Sequence, residues 1–321
     1  MKKIVLLLVL GAVASAFAQQ AGPAANLGSQ VAPDGTQPTN KTFPIVTITR
    51  PNDVDLACAG FVTKQLLPNV NYVAGGLNTP HSTKYANGDV IYLAGKGYEL
   101  GQRYQIVREL RDANRFEFFE GQLGMLKAMG QPYSEVGVVR VVDVRSKDAI
   151  AQVEFACEHV VPGDIAIKYE KRELAPFHPP MQFDRFLPAS GKTSGRIVMA
   201  KDFDGYLGTG RKVYMNLGSN QGVKAGEYFR AFRPYTADLI DPVDSLSFKA
   251  STSEDTQRRP AAMEATWLTS TGGPVIHVRD LPRRAVGEIL VLSTTPTTST
   301  GMIVFALEDV HLGDSVELDM N

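Results

Sequence analysis

The chain is poor in cysteine and tryptophan, with two of the first and one of the second among 321 residues. Two cysteines cannot supply a structural zinc site alone, and the histidines at 81, 159, 178, 277 and 311 lack the i, i+4 spacing of a zinc-binding helix. An excess of either charge is also missing. Basic residues number 33 against 34 acidic ones, a formal net charge of −1, and no basic stripe breaks the balance, which argues against nucleic acid as a partner. Beyond the N-terminus no apolar run is long enough to cross a bilayer as a helix.

Signatures of chemistry are lacking too. No GxSxG elbow occurs, and "SGKTSGR" at 190–196 fails as a phosphate-binding loop because the early glycine it needs falls on Phe186. "DFDG" at 202–205 begins like a calcium loop, but the twelfth position, where a bidentate Glu belongs, is Val213. The glycines at 205, 208 and 210 do not follow a dinucleotide fingerprint. No catalytic residue, cofactor or metal site is therefore expected, and the chain reads as a non-enzyme.

What is present begins with an export signal. Lys2-Lys3, an apolar run from Ile4 to Val13 and small residues ending Ala16-Phe17-Ala18 predict a signal peptide over 1–18, cleaved after Ala18. No cysteine follows the apolar run, which argues against a lipoprotein anchor. A periplasmic or secreted location is expected, with no integral membrane segment in the mature chain. Residues 19–49 are polar and rich in Pro and Gly, as in a disordered leader, and "PIVTIT" at 44–49 alternates like a short strand.

The body of the chain repeats itself. The segment from Val136 lines up without a gap on the segment from Val286, with identities at Gly137/Gly287, Val141/Val291, Phe155/Phe305, Glu158/Glu308, Val160/Val310, Gly163/Gly313 and Asp164/Asp314. Two copies of one unit mean one supersecondary solution used twice. Upstream, "CAGFVTK" around Gly60 aligns on "TSGRIVM" around Gly195, and the run from Gly88 aligns on that from Gly210, placing Tyr92 on Tyr214 and Arg108 on Arg233.

Short β-branched and aromatic runs between glycines are strand signals. The expected fold is all-β: two tandem small β-barrels of SH3- or OB-like type, the first at 50–170 and the second at 195–321, joined by a Pro-rich linker at 171–194. Strand candidates in the first lie at 60–64, 90–94, 103–108, 136–145, 150–157 and 164–168. Those in the second lie at 196–200, 211–216, 227–233, 286–293, 300–307 and 314–318.

Phe119, Leu123, Leu126 and Met129 are spaced for one face of a short helix ended by Gly130 and Pro132, predicted to plug an open barrel end. In the second module the same slot holds a long insertion at 236–284, which carries Trp267. Its ring either packs on the barrel or anchors a partner. Phe177, Phe183 and Phe186 of the linker are placed to pack back on one module.

Cys58 and Cys157 both lie in the first module, and their counterparts, Thr193 and Leu307, show that they stand outside the shared pattern. An even pair in one exported domain favours a disulfide, while two buried thiols acting as small apolar residues are the alternative. Of the carboxylates common to both copies, Asp164 and Asp314 read as turn formers at Gly-Asp steps.

The repeated pattern resembles the small β-barrel module in the C-terminal part of flagellar assembly protein T, and the similar units that accompany LysM peptidoglycan-binding domains in periplasmic proteins. "SNQGVKAGEYF" at 219–229 and "GDSVEL" at 313–318 carry the likeness, which spans most of 55–319. No LysM-like segment occurs here, so peptidoglycan binding is not implied. The function expected is that of a non-enzymatic scaffold or adaptor in a periplasmic assembly, meeting an envelope protein through edge strands or the insertion. The alternative is a peptidoglycan- or glycan-binding module. A buried cluster of polar side chains converging between the halves would count against the adaptor reading.

Overall fold

The computed structural model describes residues 47–111, 116–178, 183–234 and 282–319. The predicted signal peptide with Ala18, most of the predicted leader, and Trp267 with nearly all of the 236–284 segment lie outside the described residues.

The first half runs α1 (Asp53–Ala57), β1 (Phe61–Thr63), β2 (Tyr72–Gly76), β3 (Val90–Ala94), β4 (Arg103–Glu109), α2 (Gln122–Met129), β5 (Gln131–Val144), β6 (Asp148–Ala156) and β7 (Ile165–Lys168). Six of its strands close into a barrel in the order β5-β4-β7-β2-β3-β6, with β6 returning to β5. Alternation along β3 shows why: Ile91 and Leu93 are fully buried while Val90, Tyr92 and Ala94 are only half-buried.

The second half runs β8 (Ser194–Ala200), β9 (Tyr206–Leu207), β10 (Lys212–Met215), β11 (Tyr228–Arg233), β12 (Arg284–Thr294), β13 (Ser299–Ala306), β14 (Val310–His311) and β15 (Ser315–Leu318). Its barrel closes in the order β10-β13-β12-β11-β15-β8. The protein is thus all-β with two tandem small barrels, as expected. Among the described residues no helix is long and apolar enough to cross a membrane.

The two rings are the same down to their irregularities. β5 slips against β6 between Val138 and Val139 and again between Val141 and Asp143, and β12 slips against β13 at the equivalent Glu288/Ile289 and Val291/Ser293. A bulge between Ile106 and Val107 recurs between Ala231 and Phe232. Such bulges bend strands where a small barrel turns its corners. Gly137 and Gly287 lie beside them for a steric reason. A Cβ would sit 2.5 Å from the Phe155 carbonyl oxygen in one barrel and 2.6 Å from that of Phe305 in the other.

Three expectations need correction. The strand equivalent to β8 is β2, not the segment at 60–64. Val73 N donates to Asp164 O and Gly163 N to Val73 O, as Ile197 N donates to Asp314 O and Gly313 N to Ile197 O. Residues 61–63 instead form β1, an extra strand that pairs with the start of β5 (Phe61 with Tyr133, Thr63 with Gln131). Second, α2 does cover a barrel end, but that of the second barrel. Phe119 and Met129 belong to the core cluster of Ile197, Val198, Tyr214 and Phe229, with Phe118, Met125 and Leu126 packed against it. Third, of the strand expected at 44–49, residues 44–46 lie outside the described residues and 47–49 are not in a strand, although Thr49 N donates to Val304 O on β13.

The linker is a strap rather than a spacer. Phe177 and Phe183 pack on the outer face of the second barrel against Tyr228, Leu290, Val304 and Phe305, whereas Phe186 stays exposed.

Candidate functional site

Residues 52–63 and 118–133 of the first half act as an arm that grips the second barrel, and the buried polar side chains Gln122, Glu135, Thr298 and Thr300 lie where they meet. Along β1 and the residues just before it, successive carbonyls are taken up by side chains of the second half. Lys201 Nζ donates to Cys58 O (2.8 Å), Tyr214 Oη to Ala59 O (3.2 Å), Thr300 Oγ1 to Gly60 O (2.9 Å) and Thr298 Oγ1 to Val62 O (2.6 Å). These hydroxyls do for the outer edge of β1 what a neighbouring strand would do. From the helix, Gln122 Nε2 donates to Val198 O (2.9 Å). Lys212 pairs with Asp55 at 2.9 Å. Gly60 has φ +70°, and a Cβ there would stand 2.4 Å from Tyr214 Oη, so the closest approach of the halves depends on this glycine.

At the centre lies Glu135 on β5. One oxygen accepts from Gly60 N at 2.9 Å and the other from Arg172. Burial pushes its carboxyl above the ordinary range, against the pull of the Arg172 charge and hydrogen bond. The hydroxyl of Tyr214 is likewise pushed up by burial, with the Glu135 charge adding to it. Polar side chains therefore do converge between the halves, which is the arrangement that counts against an adaptor. What they do chemically is specific, however. Glu135, Lys201 and Tyr214 each bond to the main chain of residues 58–60, which makes the cluster a latch on that segment.

The remaining sequence-derived positions fall as follows. Cys58 and Cys157 form a disulfide across 99 residues, tying the base of the arm to the end of β6. Asp164 and Asp314 each accept a turn N–H, from Val161 at 2.8 Å and His311 at 2.7 Å, as turn formers do. Each also receives a two-pronged arginine that the turn reading missed: Arg108 in the first barrel and Arg233 in the second. Glu158 and Glu308 lie beyond the same arginines, at 3.4 and 4.0 Å. The signal was available, because Arg108 aligns on Arg233. Ring closure pairs the strands of both barrels and the threonines take up carbonyls beside β1, whereas β9 and β14 pair only with each other.

Under the strap, Glu288 on β12 faces the same side as Leu290, beside Arg230, Asp319 and Tyr228. Its carboxyl is pushed up to about 8 by burial, then by the hydrogen bond to Asp319 and the charge of that neighbour, with Arg230 opposing. Asp319 is the acid gripped by Arg230, through Nε at 3.0 Å and Nη2 at 2.9 Å. Among the described residues no group of three or more His, Cys, Asp or Glu could hold a metal ion.

In comparisons with protein-family models and with curated proteins, the chain matches none.

Proposed function

We propose that the protein is a non-enzymatic, exported cell-envelope scaffold or adaptor of a periplasmic assembly, built as one stiff body from two barrels. The observation that carries this reading is the arm of the first half seated in the end of the second barrel, closed by Lys201, Tyr214, Thr300 and Thr298 on the carbonyls of Cys58, Ala59, Gly60 and Val62. Domains within one chain that meet through small polar surfaces move relative to each other by default. Here apolar side chains of one half complete the core of the other, which fixes the distance between surfaces at opposite ends. The latch groups are spent on holding that geometry. The N-terminal signal and the likeness to envelope β-modules support the location.

Crosslinking in native envelopes followed by mass spectrometry tests the reading. Recovery of a defined envelope protein in a fixed ratio is the expected result. Saturable, salt-resistant retention on isolated sacculi with no protein neighbour would overturn it in favour of the glycan-binding alternative.

A further inference from the structure

The second barrel carries a cationic cleft of about 600 Å³ that the barrel itself does not need. Its walls are the start of β8, the strand β15, the end of the linker and the rim of α2, and its charges are Lys192, Arg196 and Arg283 against one acid, Glu317. The acid is spoken for: Arg283 reaches it at 2.7 Å and Gly191 N at 3.0 Å. Burial raises the Glu317 carboxyl, but hydrogen bonds from Ser190 and Arg283 more than offset this and leave it below the ordinary range.

The duplication supplies an internal control. By strand register, Arg196 stands where the first barrel has Tyr72, Arg283 where it has Tyr133, and Glu317 where it has Ile167. The same ring closes without any of these charges. Arg196 is exposed and has no carboxylate partner among the described residues; its guanidinium rests over the Phe119 ring at 5.7 Å. A cation–π contact takes up none of the guanidinium N–H groups, which stay available to a two-pronged acceptor. Beside it, Asn216 Oδ1 accepts from Arg196 N at 2.7 Å, which leaves the amide NH₂ as a further donor.

We infer that this cleft binds a saccharide bearing a carboxylate. The volume exceeds what one inorganic anion fills and suits a ligand of two sugar rings. Arg196 takes the carboxylate, with Lys192 adding charge. Asn216 and the serines of β8 and β15 meet ring hydroxyls, and Met125 offers an apolar ledge to a sugar C–H face. This inference goes beyond the adaptor reading and does not depend on it.

Calorimetric titration of the full mature chain with digalacturonate, with the neutral disaccharide diacetylchitobiose and with tripolyphosphate tests it. The expected result is saturable binding of digalacturonate alone, weakened at least about tenfold in Arg196→Gln, as for loss of one charge-assisted contact, with melting temperature unchanged. Lys192→Gln serves as a second variant and is expected to weaken binding less. Absence of saturation, equal affinity in Arg196→Gln, or binding of the neutral sugar or of tripolyphosphate in preference to digalacturonate would each overturn it. Partner recovery from envelopes is a separate readout, so failure here leaves the adaptor reading intact.

Discussion

Arg233 grips Asp314 through Nε and Nη2, at 2.8 Å each, and the same Nη2 reaches the carbonyl of Asp309 at 2.7 Å. In the first barrel Arg108 repeats every one of these contacts with Asp164 and His159 O. The two pairs differ in burial. The Arg233 side chain is 8% exposed and that of Arg108 is 29% exposed.

Burial decides what each pair is worth. Removing one partner of a buried ion pair leaves a charge without compensation and costs about 3–5 kcal/mol, while a more solvated pair is screened. Asp314→Ala is expected to lose about that amount in denaturant unfolding, and Asp164→Ala about 1–3 kcal/mol. Equal losses would show that the strand-closing turns, not the arginines, set the energies.

Phe119 belongs to the first half by sequence and to the second by packing. Phe119→Ala is expected to cost about 3–5 kcal/mol, as for a buried aromatic ring. The loss should appear as increased hydrogen exchange on β8 and β15 of the second half, and not around α2 alone. Gly313 lies against this ring, where a Cβ would stand 2.8 Å from Phe119 Cδ1. Gly313→Ala, also strained by its φ of +96°, should weaken the same strands.

The Cys58–Cys157 bridge closes a loop spanning 99 residues of separation. In the chain-entropy account, closing a loop of about 100 residues contributes about 4–5 kcal/mol by restricting the unfolded chain. Cys58→Ser with Cys157→Ser is expected to lower the denaturant midpoint by a corresponding amount while keeping the same strand signal in circular dichroism. A midpoint unchanged by reduction would contradict this.

Glu288 sets a dependence on pH whose sign is opposite to that of a salt-bridged acid. Its folded-state pKa is raised, from an ordinary value of 4.5 to about 8, so between those limits the folded chain holds a proton that the unfolded chain has released. Stability therefore falls as pH rises through that window and levels off above it. Glu288→Gln, which mimics the protonated form, should flatten the curve and leave the variant more stable than the parent above about pH 8. Melting temperatures from pH 5 to pH 9 check it, each buffered at constant ionic strength; parallel curves for parent and variant would refute the assignment.

The duplication was legible because walls and corners repeat as residue types: Gly137 and Gly287 mark a backbone approach, and Val141 and Val291 mark a bulge. β2 was hidden because "YVAGG" reads as a turn. Gly76 is there for another reason, since a Cβ would meet the Tyr85 ring at 2.3 Å. The false match at Gly60 has a physical origin too. That glycine is demanded by Tyr214 across the junction, so it imitates a repeat position without being one. The spacing of Phe119, Leu126 and Met129 marks a buried face, although Leu123, expected on it, is exposed, and it carries no information about which barrel buries that face. At the junction, Glu135, Lys201 and Thr298 come from distant segments, and no local pattern links them.

The most direct test of the central claim, that the halves form one body, is hydrogen exchange of the full chain read strand by strand, with and without Phe119→Ala. A single body predicts that the core strands of both barrels share one global opening free energy in the parent. It also predicts that the substitution in the first half lowers protection throughout the second barrel. Two separate opening energies, with the loss confined to α2 and the first barrel, would contradict the account.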